Sequence, residues 1–155
     1  MTKKVGYAFA LAVGATQAQA QDVRHIMINH SQPTATVPFS DAVLAGSTLY
    51  ISGQLGVDPA TGKIAADPVD EVKLIFTRIK TVLGRAGLTM DDLVSVQVYC
   101  TDMGQYDLFN SIYRANFSGP LPARVMVGVS QLGLGARFEV SGIAIRGRRP
   151  VHVRR

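Results

Sequence analysis

The sequence predicts an α+β domain in which one mixed sheet carries two helices on a single face. Between residues 23 and 145, the apolar patterns follow one another as strands, helix, strand, helix and two strands, an order typical of this class. The 155 residues suffice for one domain with a hydrophobic core and are too few for two. A content of 47% hydrophobic and 17% charged residues is that of a globular chain.

Three strands are predicted in the first half of the chain, over residues 23–29, 41–45 and 49–57. Gly46-Ser47 gives the last two a short hairpin connection. The third strand is interrupted by Ser52-Gly53-Gln54. A glycine inside a strand usually marks a β-bulge, or a close approach by another backbone or a ligand.

The first helix has the clearest signals at both ends. Asp67 can cap its N-terminus with Pro68 at the first helical position, and Gly87 ends it. Between these ends, apolar residues recur at the three-four spacing of one buried face: Val72, Ile75, Phe76, Ile79, Val82 and Leu83.

The second half of the chain predicts a strand over residues 93–101, a helix over about 106–117 and two final strands. These last strands, 124–129 and 137–145, are joined by a glycine-rich turn and are expected to pair as a hairpin. The face of the sheet away from the helices mixes small, apolar and polar residues. We therefore expect self-association to cover it.

Arg124 is the first candidate functional residue. Pro120 and Pro122 hold the approach extended, and Arg124 then shares a strand face with Met126 and Gly128. A guanidinium fits a carboxylate through two parallel hydrogen bonds. The alternative is that Arg124 simply pairs with an acid at the edge of the sheet.

Glu139 is the second candidate. The predicted hairpin places Arg124 and Glu139 on the non-core face of adjacent strands, with about 13 Å between their backbones. A small substrate could lie between the two side chains. Alternatively, one of the two residues comes from a neighbouring subunit.

Residues 1–20 have the pattern of a secretory signal peptide. Lys3 and Lys4 precede an apolar run over residues 5–15, and Ala18-Gln19-Ala20 supplies the cleavage pattern. The apolar run is too short for a membrane anchor. We therefore expect cleavage near Ala20 and a periplasmic or secreted protein.

The charge distribution argues against a nucleic-acid partner. Loss of residues 1–20 removes two lysines and no acids, so the net charge falls from +5 to +3. Five arginines lie in residues 146–155, so the remaining body has a net charge of −2. Residues 147–155 form a basic tail, and a solvated terminus is its simplest interpretation.

Cysteine and histidine usage suggests neither a disulfide framework nor a metal site. Cys100 is the single cysteine and lies in an apolar run, so we expect a small buried hydrophobe, with a nucleophilic role as the less favoured alternative. The three histidines lie in the terminal segments, which suggests neither a His-based metal site nor a Ser-His-Asp triad.

Several motifs together resemble those of the Rid (YjgF-like) family of imine deaminases. They are Leu121-Pro122-Ala123-Arg124 with its valine-rich strand, the strand over residues 137–145, Ser52-Gly53-Gln54, and Phe109-Asn110-Ser111-Ile112-Tyr113. The resemblance runs from about residue 37 to residue 146, within a domain that we place at residues 21–146.

The resemblance implies a chorismate-mutase-like fold assembled as a homotrimer, with sites in the clefts between subunits. It implies hydrolysis of reactive 2-enamine and 2-imino acids to 2-oxo acids and ammonia, without a metal or organic cofactor. Arg124 would bind the substrate carboxylate and Glu139 would position or activate the attacking water. Gly53, Asn110 and Phe39 would line the pocket.

The chain departs from the family pattern at four positions. Phe39 stands where the family often has Tyr, Val125 and Met126 where Ser and Cys are common, and Ser141 where a second glutamate is usual. Two further functions therefore stay open. One is a non-catalytic trimer that binds small carboxylates, and the other is an endoribonuclease or translation inhibitor.

Overall fold

The computed structural model describes residues 22–28 and 38–147; the predicted signal peptide and residues 148–155 of the basic tail lie outside this part. The helices and strands are β1 (Val23–Ile26), β2 (Ala42–Ala45), β3 (Thr48–Leu55), α1 (Pro68–Arg85), β4 (Leu93–Cys100), α2 (Tyr106–Arg114), β5 (Ala123–Gly128) and β6 (Phe138–Ile145). The predicted elements are all present, although β1 and α2 end earlier than expected. Neither helix is long and apolar enough to cross a membrane.

The strands form one sheet in the order β1-β2-β3-β6-β4-β5. All neighbours are antiparallel except β4 and β5, which are parallel. Both helices pack on the same face, and their buried side chains form one core with those of the sheet. The prediction of a mixed sheet with two helices on one face is therefore confirmed.

The predicted hairpin between the last two strands is wrong. β6 lies between β3 and β4, and β5 pairs in parallel with β4 at the edge of the sheet. The physical reason is the connection through α2, which crosses over the sheet and returns the chain parallel to β4.

The predicted facing of β5 is also reversed. Val125 and Val127 are 49% and 42% exposed, whereas Met126 packs against the core. Arg124 is the Cα partner of Val96, which is buried beneath the helices. Arg124 therefore lies on the helix face, and the two valines lie on the open face of the sheet.

α1 begins and ends as the sequence indicates. The Asp67 side chain accepts hydrogen bonds from the backbone amides of Val69 and Asp70, at 2.7 and 3.2 Å. At the other end, Gly87 adopts a left-handed conformation (φ +72°) that disfavours other residues. This rigid helix carries Glu71 in its first turn.

Glu71 attaches α1 to the start of β6. Its carboxylate is fully buried, and Oε1 accepts hydrogen bonds from the amides of Arg137 and Phe138, at 2.8 and 3.0 Å. Oε2 lies 2.7 Å from Nε of Arg137. The same guanidinium donates through Nη2 to the carbonyls of Ala65 and Ala66. These bonds fix the strand that carries Glu139.

We expect Glu71→Ala to destabilise the fold by about 3 to 5 kcal/mol, because it removes the fully buried carboxylate of an ion pair and leaves two amides without their acceptor. Urea unfolding followed by circular dichroism measures the change. The matched control is Asp70→Asn, whose exposed pair with Lys73 should be worth about 0.5 kcal/mol or less. Equal stability losses in the two variants would contradict the anchoring role of Glu71.

Candidate functional site

Arg124 lies in a cradle of aromatic rings. Its guanidinium carbon is 4.7 Å from the ring centroid of Tyr113, 5.8 Å from that of Tyr106 and 6.0 Å from that of Phe109. These distances are those of cation–π interactions. Within residues 22–28 and 38–147, the Arg124 side chain has no ion pair and no hydrogen bond. Its donors therefore remain available to an anionic ligand.

The loop that leads into β5 is held by Asp91. This carboxylate accepts hydrogen bonds from the backbone amides of Ser118 and Gly119, at 3.1 and 3.2 Å, and from the hydroxyl of Ser118. With Pro120 and Pro122 next in the chain, little freedom remains before Arg124. Arg124 therefore begins from a fixed backbone position.

Tyr113 is the ring closest to the guanidinium. It is almost fully buried, and burial raises the pKa of its hydroxyl, while the positive charge of Arg124 acts in the opposite direction. Sequence reasoning noted Tyr113 only as part of a motif. Its place in the site could have been found from the spacing of Tyr106, Asn110 and Tyr113, which share one side of α2.

Glu139 and Gly53 come together on the other face of the sheet. A Cβ atom on Gly53 would lie 1.8 Å from Oε1 of Glu139, so the carboxylate rests where any other residue would place a side chain. The pairing of β3 and β6 shifts between Ile51 and Gln54. The bulge predicted at this glycine is therefore confirmed, and the group that approaches it is a side chain, not another backbone.

A network of polar groups on the helix side of the sheet supports the bulge. The Ser52 amide donates to the Asp41 carbonyl (3.0 Å), and the Ser52 hydroxyl donates to the Ser40 carbonyl (2.7 Å). Arg78 on α1 donates to the buried Gln54 side chain (3.1 Å) and pairs with Asp41 (3.3 Å). The segment next to Phe39, a 52% exposed side chain, is thus tied to the backbone beside Gly53.

The predicted site residues therefore form two groups on opposite faces of one sheet. Arg124 and Asn110 belong to the helix face at the β5 edge, whereas Glu139 and Gly53 belong to the open face, with Phe39 adjoining. The prediction that Arg124 and Glu139 share a face is wrong, because β4 separates their strands and Phe138 and Val140 occupy the core positions beside Glu139. One chain cannot present both groups to one small ligand.

Cys100 is a buried side chain, as the sequence indicates. It is fully buried, and its thiol donates to the Asp102 carbonyl at 2.9 Å. Burial raises the pKa of this thiol, so the reactive thiolate is scarce at neutral pH. In the described part of the chain, no three His, Cys, Asp or Glu side chains come together as a metal site.

The fold and the two groups define a small α+β protein that offers a free guanidinium for an anion and, on its other face, a carboxylate beside a glycine. The guanidinium is held by aromatic rings instead of an acid, which is the arrangement expected of a binding group.

Comparison with known proteins shows the family. The family described as Endoribonuclease L-PSP matches residues 29–146, and the chain belongs to it. This family contains the Rid (YjgF-like) proteins that the motifs resemble. The chain is 37% identical over 126 residues to the 2-iminobutanoate/2-iminopropanoate deaminase of Capra hircus, covering 81% of this chain and 92% of that protein. The human protein of the same name is 33% identical over 126 residues, with the same coverage.

Solved structures of the family share the fold. RidA from the Antarctic bacterium Psychrobacter sp. PAMC 21119 superposes with a TM-score of 0.71 at 34% identity, covering 79% of this chain and 99% of that chain. Escherichia coli TdcF with bound serine gives a TM-score of 0.72 at 31% identity, covering 80% of this chain and 100% of that chain. The fold described above is therefore that of the family.

We expect Gly53→Ala to fold with a stability loss of about 1 kcal/mol and to displace the Glu139 carboxylate, because only the end of a flexible side chain must move. Gly56→Ala is the contrasting variant. Its Cβ would lie 2.3 Å from the backbone carbonyl of Glu71, which cannot move without α1, so a loss of about 2 kcal/mol or more is expected. Denaturant unfolding and a crystal structure of Gly53→Ala test both outcomes. An unmoved Glu139 would contradict this account of Gly53.

We expect the Cys100 thiol to react with a disulfide reagent such as DTNB about a hundredfold more slowly in the folded protein than in denaturant. Because burial raises the thiol pKa, the thiolate fraction is lower than that of an exposed cysteine at neutral pH and increases as the pH rises toward the raised pKa. Stopped-flow labelling between pH 7 and pH 9 measures this. Rapid labelling of the folded protein at pH 7 would contradict it.

Proposed function

We propose that the protein hydrolyses 2-imino acids and their 2-enamine tautomers to 2-oxo acids and ammonia, at sites formed between the subunits of a homotrimer. The observation that supports this most directly is the Arg124 guanidinium, which rests on aromatic rings and forms no ion pair with the described residues. It occurs in a chain about one third identical to several proteins named 2-iminobutanoate/2-iminopropanoate deaminase.

Arg124 is the group that binds the substrate carboxylate. The guanidinium presents parallel N–H donors in one plane, and this geometry matches the two oxygens of a carboxylate. The related TdcF structure contains serine, which has a carboxylate next to a carbon that carries nitrogen. A 2-imino acid has the same arrangement of these groups.

The site is shared between subunits because Arg124 and Glu139 lie on opposite faces of one chain. The open face also exposes large apolar side chains that self-association would bury: Tyr50, Val125, Val127 and Ile145. A second copy packed on this face can bring the Arg124 edge of one subunit to the Glu139 face of the next. A closed ring of such contacts gives a homotrimer with three equal sites.

The chemistry requires little beyond orientation and one group that transfers protons. Glu139 accepts a proton from water, whose oxygen attacks the electrophilic imine carbon. Glu139 passes this proton to the nitrogen and then transfers the second proton of the former water from the hydroxyl of the tetrahedral species to the same nitrogen, so that the C–N bond breaks. The water oxygen becomes the carbonyl oxygen and ammonia leaves, so the reaction needs no electron donor or acceptor. Gly53 leaves the space in which the carboxylate moves, and Asn110 and Phe39 line the cleft.

The test measures ammonia and 2-oxo acid released from 2-iminobutanoate that is generated in the assay. We expect Arg124→Ala and Glu139→Gln each to lower kcat/KM by about a hundredfold or more. Arg114→Ala, which removes an exposed arginine from the last turn of α2, is the matched control and should retain activity. Equal rates for the wild type and Arg124→Ala would overturn the proposal.

Two other outcomes identify the alternatives. Calorimetric binding of 2-oxo acids that depends on Arg124, without any turnover, would indicate a non-catalytic carboxylate-binding trimer. Cleavage of RNA in the absence of 2-oxo acid formation would indicate an endoribonuclease.

Subunit sharing is tested by mixing two inactive variants. Arg124→Ala and Glu139→Gln chains, unfolded and refolded together in equal amounts, should recover about one quarter of the wild-type activity, because each shared site draws its two halves independently. Each variant refolded alone is the control. No recovery in a mixture that light scattering shows to be trimeric would place both groups of a site in one chain and contradict sharing.

A further inference from the structure

The ring of Tyr113 is a fixed platform under Arg124. Tyr113 is 3% exposed, and its ring centroid lies 4.8 Å from that of Phe117, 5.9 Å from that of Phe76 and 6.1 Å from that of Phe109. A ring held by three others has one available orientation in a close-packed core. The guanidinium that lies 4.7 Å from it therefore has a defined surface to rest on.

Arg124 contacts the ring of Tyr113 and not its hydroxyl. In the part of the chain that the structure describes, the buried hydroxyl has no hydrogen-bond partner. A buried polar atom without a partner is destabilising, so the hydroxyl does not account for the contact with Arg124. The face of the ring, which carries partial negative charge, does account for it.

The cradle also controls which donors of Arg124 remain free. Tyr106, Phe109 and Tyr113 contact the guanidinium through their rings, and a ring offers no acceptor for the N–H groups at the guanidinium edge. An acid in the same place would occupy those N–H groups and repel a second carboxylate. The cradle thus stabilises the positive charge while the in-plane donors stay available.

We propose that Tyr113, assisted by Tyr106, is a positioning residue that sets the plane of Arg124 for edge-on binding of a planar carboxylate. This inference rests on the proposed function, in which Arg124 binds the substrate carboxylate. Tyr113 itself does not contact the substrate. Its effect is transmitted through the orientation of the guanidinium.

The experiment measures the Kd of 2-oxobutanoate by calorimetry for three core variants of the full chain. We expect Tyr113→Leu to raise Kd about tenfold through loss of the ring face, and Tyr113→Phe to restore binding to within about twofold of wild type. Leu49→Val is the control in the same core: Leu49 is fully buried and lies on β3, which is separated from β5 by β6 and β4, so binding should stay unchanged. The exposed variant Tyr106→Ala, which tests the cradle without altering the core, should raise Kd about threefold.

Two further readouts separate positioning from a general loss of structure. In the deaminase assay, Tyr113→Leu should raise KM while kcat stays within about twofold, because only carboxylate binding is weakened. The methyl ester of 2-oxobutanoate, which lacks the carboxylate, should bind all variants equally weakly.

The possible failures are distinguishable. Equal Kd values for Tyr113→Leu and Tyr113→Phe, or an equal loss in Leu49→Val, would overturn the positioning role while Arg124→Ala still abolished binding. If Arg124→Ala itself bound 2-oxobutanoate as the wild type does, the proposed function would be overturned and this inference with it.

Discussion

The buried carboxylate of Glu71 is the interaction on which the arrangement of the sheet depends. Burial of a charged group is costly unless it is paired and hydrogen-bonded, and here two backbone amides donate to Oε1 while Nε of Arg137 lies 2.7 Å from Oε2. Gly56 provides the necessary space, because a Cβ there would meet the Glu71 backbone. The result is a fixed junction between the first turn of α1 and the first residue of β6. Phe138 enters the core at this junction, and Glu139 must then point away from it.

The alternation of side chains along each strand then places Glu139 and Arg124 on opposite faces of the sheet. Side chains along a strand alternate between faces, so burial of Phe138 and Val140 places Glu139 on the open face. The same rule, applied to β5 through the partly buried Met126 that packs against the core, places Arg124 beneath the helices. Each chain therefore carries Arg124 and Glu139 on opposite faces of its sheet. Any site that uses both must draw on more than one copy, and the exposed apolar side chains of the open face suit such packing.

The sequence could predict what is encoded locally. Asp67, Pro68 and the three-four spacing specify α1, and Gly53 specifies the bulge, because caps, turns and glycine positions act over a few residues. Pairing between distant strands is not encoded in that way. Nearness in sequence favoured a hairpin for β5 and β6, and the set with Val125 and Val127 is more apolar than the set with Arg124, so alternation indicated the wrong core face. The fold class and the identity of Arg124 and Glu139 as candidates were therefore accessible, whereas their relation in space was not.

The surroundings of Arg124 explain how its guanidinium can be fixed in position while its N–H donors remain available to a ligand. A half-buried arginine usually acquires an acid, which neutralises it and fills its donors. Here the neighbouring charge is replaced by rings from α2, and the backbone before the strand is tied by Asp91 to Ser118 and Gly119. Aromatic faces attract the cation without competing for its in-plane hydrogen bonds. Aromatic packing from α2 thus fixes the position of the guanidinium, and its in-plane N–H donors remain available to an anionic ligand.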